Sequence, residues 1–402
     1  MDEKEILIDE VMEEDEEDQA AKEVDFSNAV VWGTDWTAET IARQTAKGNI
    51  DLNPNFQRRD AWTKKEKSKL IESLMLGIPV PPIVLAEDRK NRNHYIVIDG
   101  KQRLLSIMQF FSGCDSIKNE LNGKDYEILS LQGLEILDSL NKKKYSDIPE
   151  RYLSNIENVT IRTVVIKNWP DEDFLYTVFL RLNTGSKKLS PQELRQALKP
   201  GEFLNYLDNA SADSEYIRKM LGNKQPDKRM RDVELALRYF AFKYYILEYK
   251  GNLKEFMDST CEKLNRTWNE KKDSIKNDFT QLEEAIKFAY ELFEKHPFGR
   301  YSNGESSRSF NRCIFELFSF YFSNPIIRDR IKKDCDIFTK KFIELNDKQE
   351  FIQTIESYPK MTEKVVGRFN QFADLLMEID SNKEIGKLQK FKNNGSAIEV
   401  SE

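Results

Sequence analysis

Two kinds of hydrophobic pattern divide this chain. In the first half, short apolar runs are punctuated by Gly, Pro and charged clusters, whereas beyond about residue 200 apolar positions recur every three or four residues. The run His94-Tyr-Ile-Val-Ile reads as a buried strand, Asp99-Gly100 as a turn, and the stretch that follows as an amphipathic helix stopped at Gly113. Upstream, a helix is predicted over 63–76, with Gly77 as its stop. The prolines in Ile78-Pro-Val-Pro-Pro-Ile-Val-Leu85 then force an extended segment into a strand. Downstream, one helix ends near Arg181 and another starts after Ser190, a good N-cap. Pro191 suits the first helical position, Glu193 completes a capping box, and Leu189 with Leu194 offers a hydrophobic staple.

The helical period is clearest over 233–247, 282–293, 314–322 and 365–377. Tyr239, Phe240, Phe242, Tyr244, Tyr245, Phe315, Phe318, Phe320, Tyr321 and Phe322 fall within these stretches and read as bundle core rather than as a base-stacking platform. The polar stretch 299–309 reads as an exposed loop and 391–402 as a frayed end. The expected organisation is therefore an acidic disordered tail over 1–24, an α/β domain over 25–200, an all-α helical domain over 201–390, and that end.

Charge changes the picture in one place. The chain carries a net charge of −7, yet residues 1–24 hold 12 acidic residues and 2 lysines, so the remainder is slightly basic, at about +3. A block this acidic is expected to be disordered and solvating; the sharper reading makes it a nucleic-acid mimic over a basic surface. Basic clusters at Arg89, Lys90 and Arg92, at 142–144, and at Lys228, Arg229 and Arg231 suit solvent or phosphate equally, and no sequence-reading DNA motif accompanies them. No apolar run is long enough to span a membrane, the amino-terminal stretch lacks the basic start of a secretory signal, and Cys114, Cys261, Cys313 and Cys335 are scattered. A cytoplasmic, membrane-free protein is expected.

Chemistry concentrates at the strand-to-helix junction. A helix N-terminus attracts anions through its N–H groups and partial positive charge, Gly100 permits close backbone approach, and an arginine can fork onto a phosphate. Arg103 would hold phosphate oxygens, Asp99 would hold a divalent cation or orient a water, and Gln102 would position the attacking water. The plain alternative is a solvated turn, since Asp-Gly is a common turn pair. Neither a Walker-type Gly-x-x-x-x-Gly-Lys loop nor a Gly-x-Gly-x-x-Gly turn occurs.

The order and spacing of Phe56-Gln57-Arg58, Trp62, the Gly-Ile-Pro-x-Pro run at 77–81, Asp99-Gly100-x-Gln102-Arg103 and Arg181-Leu-Asn183-Thr184-Gly185 resemble the GmrSD-type family, whose N-terminal domain is built around a DGQQR motif on a ParB/sulfiredoxin-like fold. The likeness covers about 26–200, and the segments 229–240 and 311–318 resemble the helical tail of free-standing members. The resemblance implies nucleoside-triphosphate- and Mg2+-dependent work on DNA in bacterial anti-phage defence, controlling or assisting a nuclease. It places Asp99, Gly100, Lys101, Gln102 and Arg103 in the nucleotide site, lined by Gln57, Arg58, Asn183 and Thr184. Lys101 replaces the family's usual glutamine, and with Gln102 it stands where sulfiredoxins carry their reactive cysteine, which argues against sulfinic-acid repair. The alternative is a non-catalytic, nucleotide-gated module that binds DNA or a partner. His94 and His296 are the only histidines, too few for an HNH nuclease site. Any cutting would fall to a separate subunit, and an oligomer is compatible with the sequence.

Overall fold

The computed structural model describes residues 29–52, 62–121, 124–182, 190–302, 304–380, 383–395 and 397–401. The chain divides into two compact units, Lys22–Leu198 and Lys199–Glu402.

In the first unit the elements run β1 (Val30–Thr37), α1 (Ala38–Ala46), β2 (Ile50–Asp51), α2 (Lys64–Met75), β3 (Ile83–Glu87), β4 (Tyr95–Asp99), α3 (Lys101–Phe111), α4 (Asp115–Lys118), α5 (Glu150–Asn158), β5 (Thr160–Lys167), α6 (Glu172–Leu182) and α7 (Pro191–Leu198). The five strands form one mixed sheet in the order β1-β5-β3-β4-β2. β3 is parallel to β5 and antiparallel to β4, and β2 is parallel to β4. The central runs Ile83-Val-Leu-Ala and Ile96-Val-Ile are nearly continuous in hydrophobicity because both faces are covered. On one face Val84, Ala86, Ile98 and Ile166 pack with Trp169 and with Phe174, Leu175, Phe179 and Leu194 of α6 and α7. Ile83, Leu85, Val97 and Val165 alternate with them and are buried as well. Helices α1, α2, α3 and α5 pack on one another through Ile41, Ile71, Leu74, Leu104, Met108 and Phe111.

The irregular stretch after α4 is anchored by α2. The Glu72 carboxylate accepts the N–H groups of Ile136 at 2.8 Å and Leu137 at 2.7 Å, and Ser68 Oγ accepts that of Gln132 at 2.9 Å. Polar side chains thereby satisfy backbone groups that no ladder reaches. The predicted helix before Gly77 is present: a Thr63–Glu66 capping box opens α2, and Gly77 follows it with φ of +69°.

The second unit contains α8 (Glu202–Asp213), α9 (Glu215–Met220), α10 (Arg231–Tyr245), α11 (Leu253–Arg266), α12 (Trp268–Phe293), α13 (Arg312–Phe322), α14 (Pro325–Lys333), α15 (Cys335–Asp347), α16 (Gln349–Ile355) and α17 (Thr362–Ile379). The aromatic positions form its core: Phe318 packs against Phe293, Phe322, Phe342 and Phe372, with ring centroids 4.6–5.9 Å apart. The expectation of an all-α domain needs correction. β6 (Gly299–Ser302) and β7 (Glu305–Phe310) pair antiparallel, and the end expected to fray contains another antiparallel pair, β8 (Phe391–Asn393) and β9 (Ile398–Val400). An Asn-Gly dipeptide lies between the paired strands in each case, a hairpin signal masked by the polarity around it. Gly299 is needed for close approach, since a Cβ there would collide with the Ser307 carbonyl oxygen.

Charge is buried with its partners here. Glu316 of α13 accepts from Arg238 of α10 at 2.8 Å and from Arg368 of α17 at 2.6 Å, and all three side chains are almost wholly buried. Removing one member of such a set leaves the others uncompensated in a poorly solvating interior. Glu316→Ala is therefore expected to lower unfolding free energy by about 3–5 kcal/mol, read from urea denaturation of the full chain.

Candidate functional site

The site is built where β4 hands over to α3. Ile96, Val97 and Ile98 fix the strand in the sheet, so Asp99 emerges at its C-terminal end. Gly100 then turns the backbone through the left-handed region, with φ of +99°. A Cβ at this point would stand 3.1 Å from Ile83 Cγ1 and 3.2 Å from Arg103 Nη2, so both conformation and space call for glycine.

α3 opens without a side-chain cap and with no acidic residue in its first turn. Its backbone ladder starts at the bond from Leu104 N–H to the Gly100 carbonyl, 2.9 Å, so the N–H groups of Lys101, Gln102 and Arg103 lie ahead of it. By contrast, α1, α2 and α11 each have a side chain that accepts from the first turn. The helix start thus carries its own partial positive charge, while the two cations of the first turn, Lys101 and Arg103, are each paired with a carboxylate.

The four motif side chains are held in three directions. Arg103 Nη2 donates to Asp99 Oδ2 at 2.7 Å and to the Pro82 carbonyl at 3.1 Å, which ties the turn to the proline run before β3. Arg103 Nε is buried and has no hydrogen-bond partner among the described residues. Asp99 stays about one-third exposed while it receives the guanidinium. Gln102 Oε1 accepts from the Trp62 N–H at 3.3 Å and so holds the residue that leads into α2. Lys101 does not share the open side of the turn: its ammonium is buried and donates to Glu193 Oε1 of α7 at 3.0 Å.

Ser190 and Glu193 form the capping box expected of them. Ser190 N–H donates to Glu193 Oε2 at 2.8 Å, and Glu193 N–H donates to Ser190 Oγ at 3.1 Å. Gln57, Arg58, Asn183, Thr184 and the staple residue Leu189 lie outside the described residues. One edge of the segment that contains Gln57 and Arg58 is fixed at Leu52, whose carbonyl accepts from the buried Tyr126 hydroxyl at 2.9 Å; burial raises that phenol to about 12. The other edge is Trp62, on Gln102. Tyr126 and the second role of Glu193 were missed in the sequence. Glu193 carried a signal: Lys101 lies in register with Leu104, Leu105 and Met108 on the apolar stripe of α3, so it had to be buried and to need a counter-charge.

No group of three His, Cys, Asp or Glu side chains is arranged to hold a metal ion among the described residues. His94 Nδ1 lies 3.3 Å from the Arg92 carbonyl, and the His296 carbonyl accepts from Gly299 N–H and the Ser306 hydroxyl.

Residues 39–198 match the family model of the GmrSD restriction endonuclease N-terminal domain. Over this stretch the chain is similar to the N-terminal domain of the GmrSD-type family. The match runs from α1 to the end of α7 and so includes the whole of the Asp99–Arg103 turn. Neither a curated protein nor a solved structure matches the chain. No helix among the described residues is long and apolar enough to cross a membrane.

Gly100→Ala is expected to cost at least about 1–2 kcal/mol through the left-handed turn alone, with further loss from the contact at Ile83. Guanidinium denaturation of the variant beside wild type measures it.

Proposed function

We propose that the N-terminal unit binds a nucleoside triphosphate with its phosphates at the Asp99–Arg103 turn and hydrolyses it, and that the protein acts on DNA in restriction-type anti-phage defence by controlling a separate nuclease. The observation that carries this reading is the buried Arg103 Nε, a strong donor with no partner among the described residues, in the first turn of a helix whose N-cap, Gly100, has no side chain to cap it. The family description, a restriction endonuclease N-terminal domain, supports the cellular role. The mixed sheet with helices on its faces is compatible with a ParB/sulfiredoxin-like arrangement.

On this reading, the Arg103 guanidinium exchanges Asp99 for phosphate oxygens and stabilises the charge that develops as the terminal phosphoryl group leaves. Asp99, released, orients water or receives a cation. The Gln102 amide lies one residue from Arg103 and presents a polar group for the attacking water; Gln57, Arg58, Asn183 and Thr184 would complete the enclosure. A magnesium ion commonly keeps several waters and takes one or two carboxylates together with the substrate's phosphates. Asp99 suits that mode, and the ion would supply charge neutralisation as part of the nucleotide complex. DNA is the partner the family implies. In the basic run at 228–231, Arg231 pairs with the buried Asp227 at 2.6 Å, while Lys228 and Arg229 remain exposed at the surface.

The closed Asp99–Arg103 pair favours a second reading, in which nucleotide occupancy opens the pair to gate DNA or partner binding without turnover. Phosphate release from ATP, GTP, CTP and UTP with magnesium, with and without phage DNA, separates the two. The proposal expects turnover that Arg103→Ala lowers at least about 100-fold, in line with the loss of one transition-state donor. Nucleotide binding without turnover would leave the gating module, and turnover unchanged in Arg103→Ala would overturn this site.

A further inference from the structure

We propose that Lys101 and Glu193 are a matched pair of positioning residues, through which α7 sets the geometry of the nucleotide-binding turn. The inference rests on the nucleotide reading above and assigns to Lys101 a role other than direct phosphate contact.

Three observations converge on it. First, Lys101 is the opening residue of α3, directly after Gly100, yet it lies on the apolar stripe with Leu104, Leu105 and Met108. Its side chain therefore runs inward, with 7% of it exposed, and ends 3.0 Å from Glu193 Oε1. Second, the Glu193 carboxylate is divided between two tasks. Oε1 takes the Lys101 ammonium, while Oε2 takes the Ser190 N–H in the capping box that starts α7. Third, α7 packs on β4, the strand that carries Asp99. Strand, turn and helix start are thereby closed into one ring: β4 to Gly100, Lys101 to Glu193, and α7 back to β4. A rotation of the first turn of α3 would stretch a buried ion pair, which is costly to separate in a poorly solvating interior.

A neutral amide at 101 would reach a glutamate or a glutamine without leaving a buried charge. Lysine demands an acid. The pair is thus expected to behave as one unit, with each single change harmful and the joint change tolerated. Replacing a buried ion pair by a neutral pair of similar size is commonly close to neutral in stability, whereas deleting one partner is not.

The test uses the full chain and four variants: Lys101→Gln, Glu193→Gln, the double variant Lys101→Gln/Glu193→Gln, and Lys101→Arg. Circular dichroism and thermal melting report folding. Calorimetric titration with each of the four ribonucleoside triphosphates, with magnesium, reports binding. The expected result is a rise in nucleotide Kd of at least about tenfold in Glu193→Gln, a smaller rise in Lys101→Gln, and recovery to within about threefold of wild type in the double variant and in Lys101→Arg. Such recovery would not follow if Lys101 itself held phosphate, because the double variant lacks the cation. Single variants that melt lower yet bind like wild type would overturn the proposal and leave a purely structural pair. A double variant that folds but binds as poorly as Glu193→Gln would overturn it as well, and it remains informative if the single variants fail to fold. A wild-type protein that binds none of the four nucleotides would overturn the nucleotide reading and this inference together, a result distinguishable from the others because it appears before any substitution is made.

Discussion

The left-handed turn at Gly100 governs the arrangement around it. It lets β4 stop and α3 start with a single residue between them, so a carboxylate at the strand's end and two cations in the helix's first turn crowd one corner. Crowding alone would be unfavourable. The sequence resolves it by direction: Arg103 folds back on Asp99 and Pro82, Gln102 reaches Trp62, and Lys101 runs inward to Glu193. The start of α3 is left with a glycine N-cap that offers no capping side chain, and a phosphate that took the Arg103 guanidinium from Asp99 would meet the helix's partial positive charge there. Sequence, turn conformation and proposed chemistry thus meet at one residue without a side chain.

Both units take charge into their interiors only in company. Glu316 is shared by Arg238 and Arg368, Glu193 by Lys101 and the Ser190 N–H, and the Lys67 ammonium donates to Gln109 at 2.6 Å. Such contacts are directional and intolerant of a missing member, whereas apolar packing accepts many substitutions of similar volume. They hold helices at fixed rotations about their axes. In the N-terminal unit that rotation decides where the first-turn N–H groups of α3 point, which links core electrostatics to the site.

Much of the site's framework was legible in the chain. The apolar run ending at Asp99, the Asp-Gly turn, the helix stopped at Gly113, and the Ser190–Glu193 capping box are local signals, and local signals survive without knowledge of the fold. The helices over 282–293, 314–322 and 365–377 lie in α12, α13 and α17, though α12 extends back to Trp268; that over 233–247 lies in α10 up to Tyr245 and runs on into the 3-10 turn Ile246–Glu248. The sheet was less readable. β1 pairs with β5 from Val30 against Lys167 to Thr37 against Thr160, a register set by partners far apart in sequence, and neither strand stands out from its own apolar pattern. The two antiparallel pairs were hidden because their strands are short and polar. Lys101 was misleading for a different reason: its place in the motif suggested a ligand, while its place on the helix stripe pointed inward, and burial decided the direction of the side chain.

The account stands most directly on whether the first turn of α3 receives phosphate. Backbone amide hydrogen exchange over residues 95–112, with and without saturating magnesium triphosphate, measures that at the N–H groups concerned. The account predicts that nucleotide slows exchange at Lys101, Gln102 and Arg103, and that Arg103→Ala removes the slowing. Exchange at these three amides that is unchanged by a nucleotide shown to bind the protein would contradict it, and would place the ligand elsewhere on the chain.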